Sequence, residues 1–267
     1  MDEPVPEGID IDVTVPNVAR MYDYYLGGKD NYAVDRETAA RVLRAAPQTP
    51  ALARANRAFL GRAVRHLVHE AGITQFLDLG AGLPTQGNVH EVAQEADPAS
   101  RCVYVDNDPV VLAHGRALLT GVAGAAVLAG DLRRPADLLA DLRHKATLDL
   151  TEPVAVLLVA VLHCLTDEED PWKAVRAIGD AVPSGSHLVV SHITAAELPD
   201  AAEAGAAVYR RAGAAMTLRP RAAIARFFDG FDLLEPGLVP LTEWRPGPAG
   251  APLGLPAWFL CGVAVKP

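Results

Sequence analysis

Three aspartates stand where three successive apolar runs end. Asp78 lies in Gln75-Phe76-Leu77-Asp78-Leu79, just before Gly80-Ala81-Gly82; Asp106 closes Arg101-Cys102-Val103-Tyr104-Val105; Asp131 follows Ala126-Val127-Leu128-Ala129-Gly130. Buried carboxylates are costly unless paired, so packing alone is a poor reason for three of them. Asp106 comes 28 positions after Asp78, a little more than the spacing of about 20 from a glycine motif to a ribose-binding acid, and Asp131 a further 25. A carboxylate at such a strand end can accept both hydroxyls of a ribose. Asp78, beside the glycine turn, suits a ligand with a cationic amino group better than one with two phosphates. S-adenosylmethionine has that chemistry: an ammonium, a sulfonium, a ribose and no phosphate. A tight βα turn of an unrelated α/β protein is the plain competing reading.

Gly80 and Gly82 lack Cβ, so the chain can turn sharply and a ligand can lie against its backbone. The helical spacing of Val89, Val92 and Ala93 behind Asn88 makes the stretch a strand, a turn and a helix, the first unit of a doubly wound sheet. A dinucleotide fingerprint needs a third glycine in register, where Pro84 and Thr85 stand instead. That disfavours a nicotinamide-dependent oxidoreductase.

A base is needed in group transfer only where the acceptor carries a proton that must leave. His163 is the candidate, directly after the apolar run Pro153–Ala160; His192, after the next strand, is weaker. Cys164 reads as a packed residue.

The elements that must hold these residues can be read in order. Asn17 caps a short helix that Gly27-Gly28 ends, and four of the six tyrosines fall between Tyr22 and Tyr32. Tyr25 reads as core packing. The other tyrosines, with Arg20, Asp23, Lys29, Asp30 and Asn31 around Gly27-Gly28, fit a lid or pocket wall. Helices over about 35–46 and 51–70 follow, the second with Leu52, Phe59, Ala63 and Leu67 as its apolar stripe. Residues 1–70 are therefore expected to form a helical cap, and 71–267 an α/β core. Strands are expected at 101–106, 126–132, 153–160 and 187–191, with helices at 110–119 and 136–150 between them. Thr166 or Asp167 is expected to cap a helix reaching Ala181. After helices near 201–215 and 220–228, Phe231–Leu234 and Ala257–Val265 make the last two strands, joined by a proline-rich connection.

The chain carries 267 residues, half of them apolar, and a net charge of −9 with no block of Lys or Arg, which argues against a nucleic-acid partner. With only four lysines against many arginines, the arginine content reads as coding bias. Cys102, Cys164 and Cys261 are too scattered for a zinc site or a disulfide framework, so no metal is expected. No signal-peptide pattern opens the chain, and the apolar run Val154–Leu162 is too short to span a bilayer. The expectation is a cytoplasmic protein with no membrane partner.

With these pieces placed, the chain resembles the class I S-adenosylmethionine-dependent methyltransferases. More narrowly, it resembles the actinobacterial S-adenosyl methyltransferase family long catalogued as a domain of unknown function. The resemblance rests on Ala19-Arg20-Met21-Tyr22-Asp23-Tyr24-Tyr25-Leu26-Gly27-Gly28-Lys29-Asp30-Asn31-Tyr32, on Phe76–Thr85, and on Val103-Tyr104-Val105-Asp106-Asn107-Asp108-Pro109. It implies a Rossmann-like fold: a seven-stranded, mostly parallel sheet with a reversed last strand. It also implies that Asp78, Gly80 and Gly82 face the methionine end of S-adenosylmethionine, and that Asp106 holds the ribose beside Asn107. Asp131 would accept from the adenine amino group and the Leu132 N–H would reach a ring nitrogen. Ala160 and Val161 would line the transfer site, with Tyr24, Asn31 and Tyr32 closing over it. Leu162-His163-Cys164-Leu165-Thr166-Asp167-Glu168 is similar to a segment of small-molecule O-methyltransferases in which the histidine is the base, and the Asn-Pro-Pro-Tyr/Phe signature of amino-group methyltransferases is missing. The implied activity is O-methylation of a small molecule, releasing S-adenosylhomocysteine, or else binding of that cofactor without turnover.

Overall fold

The β-branched and aliphatic runs pair as expected, and their burial shows which lie deepest. In the computed structural model, which describes residues 12–84, 87–145, 148–194, 199–247 and 254–267, β1 (Gln75–Leu79) is buried along its whole length. Its neighbours are β2 (Arg101–Asp106) on one side and β4 (Ala155–Val159) on the other. β3 (Ala125–Ala129) forms one edge, and β5 (His187–Ile193) continues the parallel set beyond β4. β8 (Phe259–Val265) runs antiparallel to β5 and carries the two-residue β6 (Asp232–Leu233) on its other side. The order is β3-β2-β1-β4-β5-β8-β6. The reversed last strand is therefore present. Among the described residues the sheet counts eight strands rather than seven, because β7 (Val239–Pro240), inside the proline-rich connection, adds a two-residue pairing to β8. Strand order reverses between β1 and β4, and ligands of open α/β sheets bind outside the strand ends at such a point.

Helices α4 (Val89–Ala96), α5 (Pro109–Leu119), α6 (Pro135–Lys145) and α7 (Pro171–Ala181) connect the parallel strands. Asn88 caps α4 reciprocally with Glu91, and Asp108 caps α5 through the Val110 and Val111 N–H groups. α7 starts later than Thr166 or Asp167. Asp170 caps it through Lys173 N–H, because Pro171, which has no N–H to offer, fits the first helical position.

Three helices precede the sheet: α1 (Val18–Leu26), α2 (Ala33–Ala45) and α3 (Thr49–His69). Asn17 accepts from Ala19 and Arg20 N–H, and Gly27 ends α1 in the left-handed conformation. Phe59, Ala63 and Leu67 of α3 pack on the sheet with Phe76 and Val189. Met21, Tyr25, Val42 and Leu52 form a separate apolar cluster over the strand ends, together with Ala202, Ala206 and Tyr209 of α8 (Pro199–Arg211). A short α9 (Arg221–Ala225) leads into β6. Between the helical cluster and the strand ends lies a cavity of about 350 Å³, within the range for small-molecule sites. Among the described residues no helix is long and apolar enough to cross a membrane.

Candidate functional site

Glycine is required after β1 for two separate reasons. Gly80 has φ +73°, and a Cβ there would meet Val161 Cγ2 at 2.2 Å. Gly82 is held at φ +66°, a conformation side chains rarely adopt, although a Cβ there would meet only Ala19 Cβ, in ordinary contact at 4.0 Å. The turn is bonded to the next strand: Gly80 and Ala81 N–H donate to Val105 O, and Gly82 N–H donates to Asp106 Oδ2 at 2.9 Å. Asp108 N–H donates to Asp106 Oδ1. Thr85, part of the sequence motif, lies outside the described residues.

Asp78 lines the cavity at 6% exposure, and its carboxylate takes no hydrogen bond among the described residues. Burial pushes its pKa up to about 7; the Asp106 charge adds to the rise and the Arg57 guanidinium opposes it. Burial also raises Asp106, while the backbone N–H bonds from Asp108 and Gly82 pull the other way. Asp131 differs. Arg133 donates to both its oxygens from the side chain and to Oδ1 from the backbone, and that bonding holds its pKa below the usual range.

Ala160 ends β4 in the left-handed region (φ +60°), unusual for a residue with a side chain. A chain of hydrogen bonds holds it there. Its N–H donates to Ser191 Oγ, Ser191 Oγ donates to Asn56 Oδ1 at 2.6 Å, Asn56 Nδ2 donates to the Tyr22 hydroxyl, and Tyr22 donates to Ala53 O. One network thus joins α1, α3, β5 and the end of β4.

His163 sits in a 3-10 turn, Leu162–Cys164, edge-on to His192 and Phe259. It is buried, and its Nδ1 has no partner among the described residues. Burial, then the charge of Arg219, pushes its pKa down to about 3. His192 Nδ1 lies 2.7 Å from Ile193 O and so donates; its Nε2 then accepts from Arg219 Nη1. Arg219, 2% exposed, also donates to Leu162 O, Leu165 O and the Asp167 carboxylate, with its guanidinium over Trp172.

The structure brings Asp78, Gly80, Gly82, Asp106, Asn107, Asp131, Leu132, Ala160 and His163 to one cavity. It does not bring Tyr24, Asn31 or Tyr32 there. On α1 the face turned to the cavity carries Tyr22 and Tyr25, three apart, which leaves Tyr24 on another face. Asn31 instead binds Asp23 Oδ2 and Gly28 O, and Tyr32 lies under the Arg20 guanidinium. Tyr25, expected to be packing alone, lines the cavity and shares a hydrogen bond with Tyr209. Asn56, Ser191, Arg219 and Tyr209 were missed; for Asn56 and Ser191 a polar type inside the apolar patterns of α3 and β5 was the available signal.

The donor set answers what could fill the strand-end half. An unbonded carboxylate, a second carboxylate with lone pairs to spare and a glycine cradle fit an ammonium and a ribose, the groups of S-adenosylmethionine. Comparison with known proteins agrees. Residues 5–267 match the model of a family described as S-adenosyl methyltransferase. The chain is similar to a DUF574 family protein from Streptomyces avermitilis, 41% identical over 96% of this chain and 99% of that one, with a TM-score of 0.91. It is also similar to a Thermobifida fusca protein provisionally named a methyltransferase, 39% identical over 98% and 99% of the two chains, TM-score 0.89. Human N-acetylserotonin methyltransferase, solved with S-adenosylmethionine, shares the fold at 14% identity over 92% of this chain and 62% of its own, TM-score 0.51. Curated proteins supply no match. The chain belongs to the S-adenosyl methyltransferase family, enzymes that take a methyl group from S-adenosylmethionine.

Proposed function

We propose that this enzyme methylates a hydroxyl oxygen of a small molecule. On this reading the cofactor lies across the ends of β1, β2 and β3, and the acceptor lies beneath α1 and α8. The observation that carries it is Asp78, a buried carboxylate with no hydrogen bond among the described residues, at the floor of a cavity that continues past Ala160. A cofactor binder without turnover would have that far side filled.

Bound S-adenosylmethionine supplies a methyl group already activated by its sulfonium. The residues therefore have to bind, orient and exclude water. Ionised Asp78 holds the ammonium, Asp106 the ribose hydroxyls, and Asn107, Asp131 and Leu132 the adenine. The hydrogen-bond chain through Ser191 and Asn56 keeps the Ala160 peptide still beside the reacting atoms. His163, neutral at working pH, presents a lone pair to the acceptor O–H. So weak a base suits an acidic hydroxyl, a phenol or an enol, better than an aliphatic alcohol.

Calorimetry with S-adenosylhomocysteine and with NAD tests the cofactor half; binding of NAD in preference would overturn it. His163→Ala tests the other half, with loss of turnover at unchanged S-adenosylhomocysteine affinity as the expected result.

A further inference from the structure

The two halves of the cavity differ in charge. The charged side chains that line it are Arg57, Asp78, Asp106, Asp108, Asp131 and Arg133 around the strand ends, and Asp23, whose Oδ2 already accepts from Asp30 N–H and Asn31 Nδ2. On the α8 side the wall carries none. Ala202, Gly205 and Ala206 offer it nothing larger than a methyl, and Tyr22, Trp258 and Phe259 supply rings. Small residues alone would be only a gap between helices. A second observation makes this one a binding surface. The Tyr25 and Tyr209 hydroxyls lie 2.9 Å apart, both line the cavity, and the two residues are 4% and 8% exposed. Two hydroxyls carry two protons, and a mutual hydrogen bond uses one. The other has no acceptor among the described residues, in a setting where an unmet donor is costly. Elsewhere on the same cavity wall, the buried Nδ1 of His163 is likewise without a partner among the described residues.

We propose that this half of the cavity takes an uncharged, flat aromatic acceptor bearing two oxygens: the hydroxyl that is methylated, near Ala160 and His163, and a second at its far end that accepts the unused Tyr25–Tyr209 proton. The inference rests on the cofactor occupying the strand-end half. A charged group at the far end would lie among apolar walls with no counter-ion.

The test is titration of the protein saturated with S-adenosylhomocysteine, using three probes. These are beta-naphthol, the naphthalenediol with its second hydroxyl on the opposite ring, and the hydroxynaphthoate with a carboxylate there. The diol should bind roughly 3- to 10-fold more tightly than beta-naphthol, the worth of one neutral hydrogen bond, and more tightly than the naphthoate. In Tyr25→Phe/Tyr209→Phe the advantage of the diol over beta-naphthol should vanish while S-adenosylhomocysteine affinity stays unchanged. The comparison of probes on the unaltered protein stands even if that variant does not fold. No binding by any probe, tightest binding by the naphthoate, or a diol no better than beta-naphthol would overturn the proposal and leave the cofactor reading intact. Failure to bind S-adenosylhomocysteine would overturn both.

Discussion

Gly82 N–H and Asp106 Oδ2, 24 positions apart, are joined by a 2.9 Å hydrogen bond. The glycine turn after β1 and the acid at the end of β2 are thus one unit, and Asp106 both shapes the cradle and faces the ligand space. Asp106→Ala should weaken S-adenosylhomocysteine binding by about 100-fold or more, since two hydrogen bonds to a charged group are lost at about 1.5–3 kcal/mol each. Calorimetry decides it; an unchanged affinity would remove Asp106 from the site.

Asp78 should make cofactor affinity depend on pH. Its pKa is raised from 3.8 to about 7 in the empty protein, and only the ionised form pairs with an ammonium. Affinity should fall as pH drops below 7, by up to about tenfold per unit, and level off above it. For stability the sign is reversed. A raised carboxyl favours the fold below pH 3.8, and that contribution is lost as pH rises through 7. Asp78→Asn should flatten both profiles, read by calorimetry and by thermal melting.

His163 supplies the opposite window. Its pKa falls from 6.5 to about 3 on folding, so the unfolded chain binds a proton that the folded chain refuses. The contribution is complete above pH 6.5 and is lost progressively as pH falls toward 3, at about 1.4 kcal/mol per unit. The melting temperature of His163→Gln should decline less between pH 6 and pH 4 than that of the unaltered protein. The same shift predicts turnover with no limb near 6.5.

Ala160 and Gly80 make a matched pair of backbone tests. Gly80→Ala forces a Cβ to within 2.2 Å of Val161 at a positive φ and should cost several kcal/mol or prevent folding. Ala160→Gly relieves a left-handed residue worth about 1 kcal/mol, offset by glycine's greater freedom when unfolded. Chemical denaturation should therefore find it near neutral. Ser191→Ala removes the Oγ that accepts from the Ala160 N–H and donates to Asn56 Oδ1, while the Ser191 main-chain O stays as a second acceptor for that N–H, and should cost about 1 kcal/mol.

The sheet was legible because its strands are apolar runs, the first three of them cut off by glycine or aspartate. β2 matches residue for residue, and Asn17, Asn88 and Asp108 cap their helices as their types predict. The start of α7 was misplaced because Thr166 and Asp167 are good caps too; Pro171 decides, and Arg219 fastens Asp167 elsewhere. Tyr24 and Tyr25 lie on different faces of α1, a distinction of one residue that a nine-residue helix barely encodes, and Tyr32 stands beyond that helix, at the start of α2. Arg219 lay hidden among many arginines, and the Tyr25–Tyr209 pair spans 184 positions that no local pattern connects.

Asn17, just before α1, bonds to Asp108 above the glycine turn, and Tyr25 near its other end meets α8. One rod of nine residues therefore roofs both chambers. On the proposed reading, any tilt of that rod would open the nucleoside and acceptor chambers in a single movement.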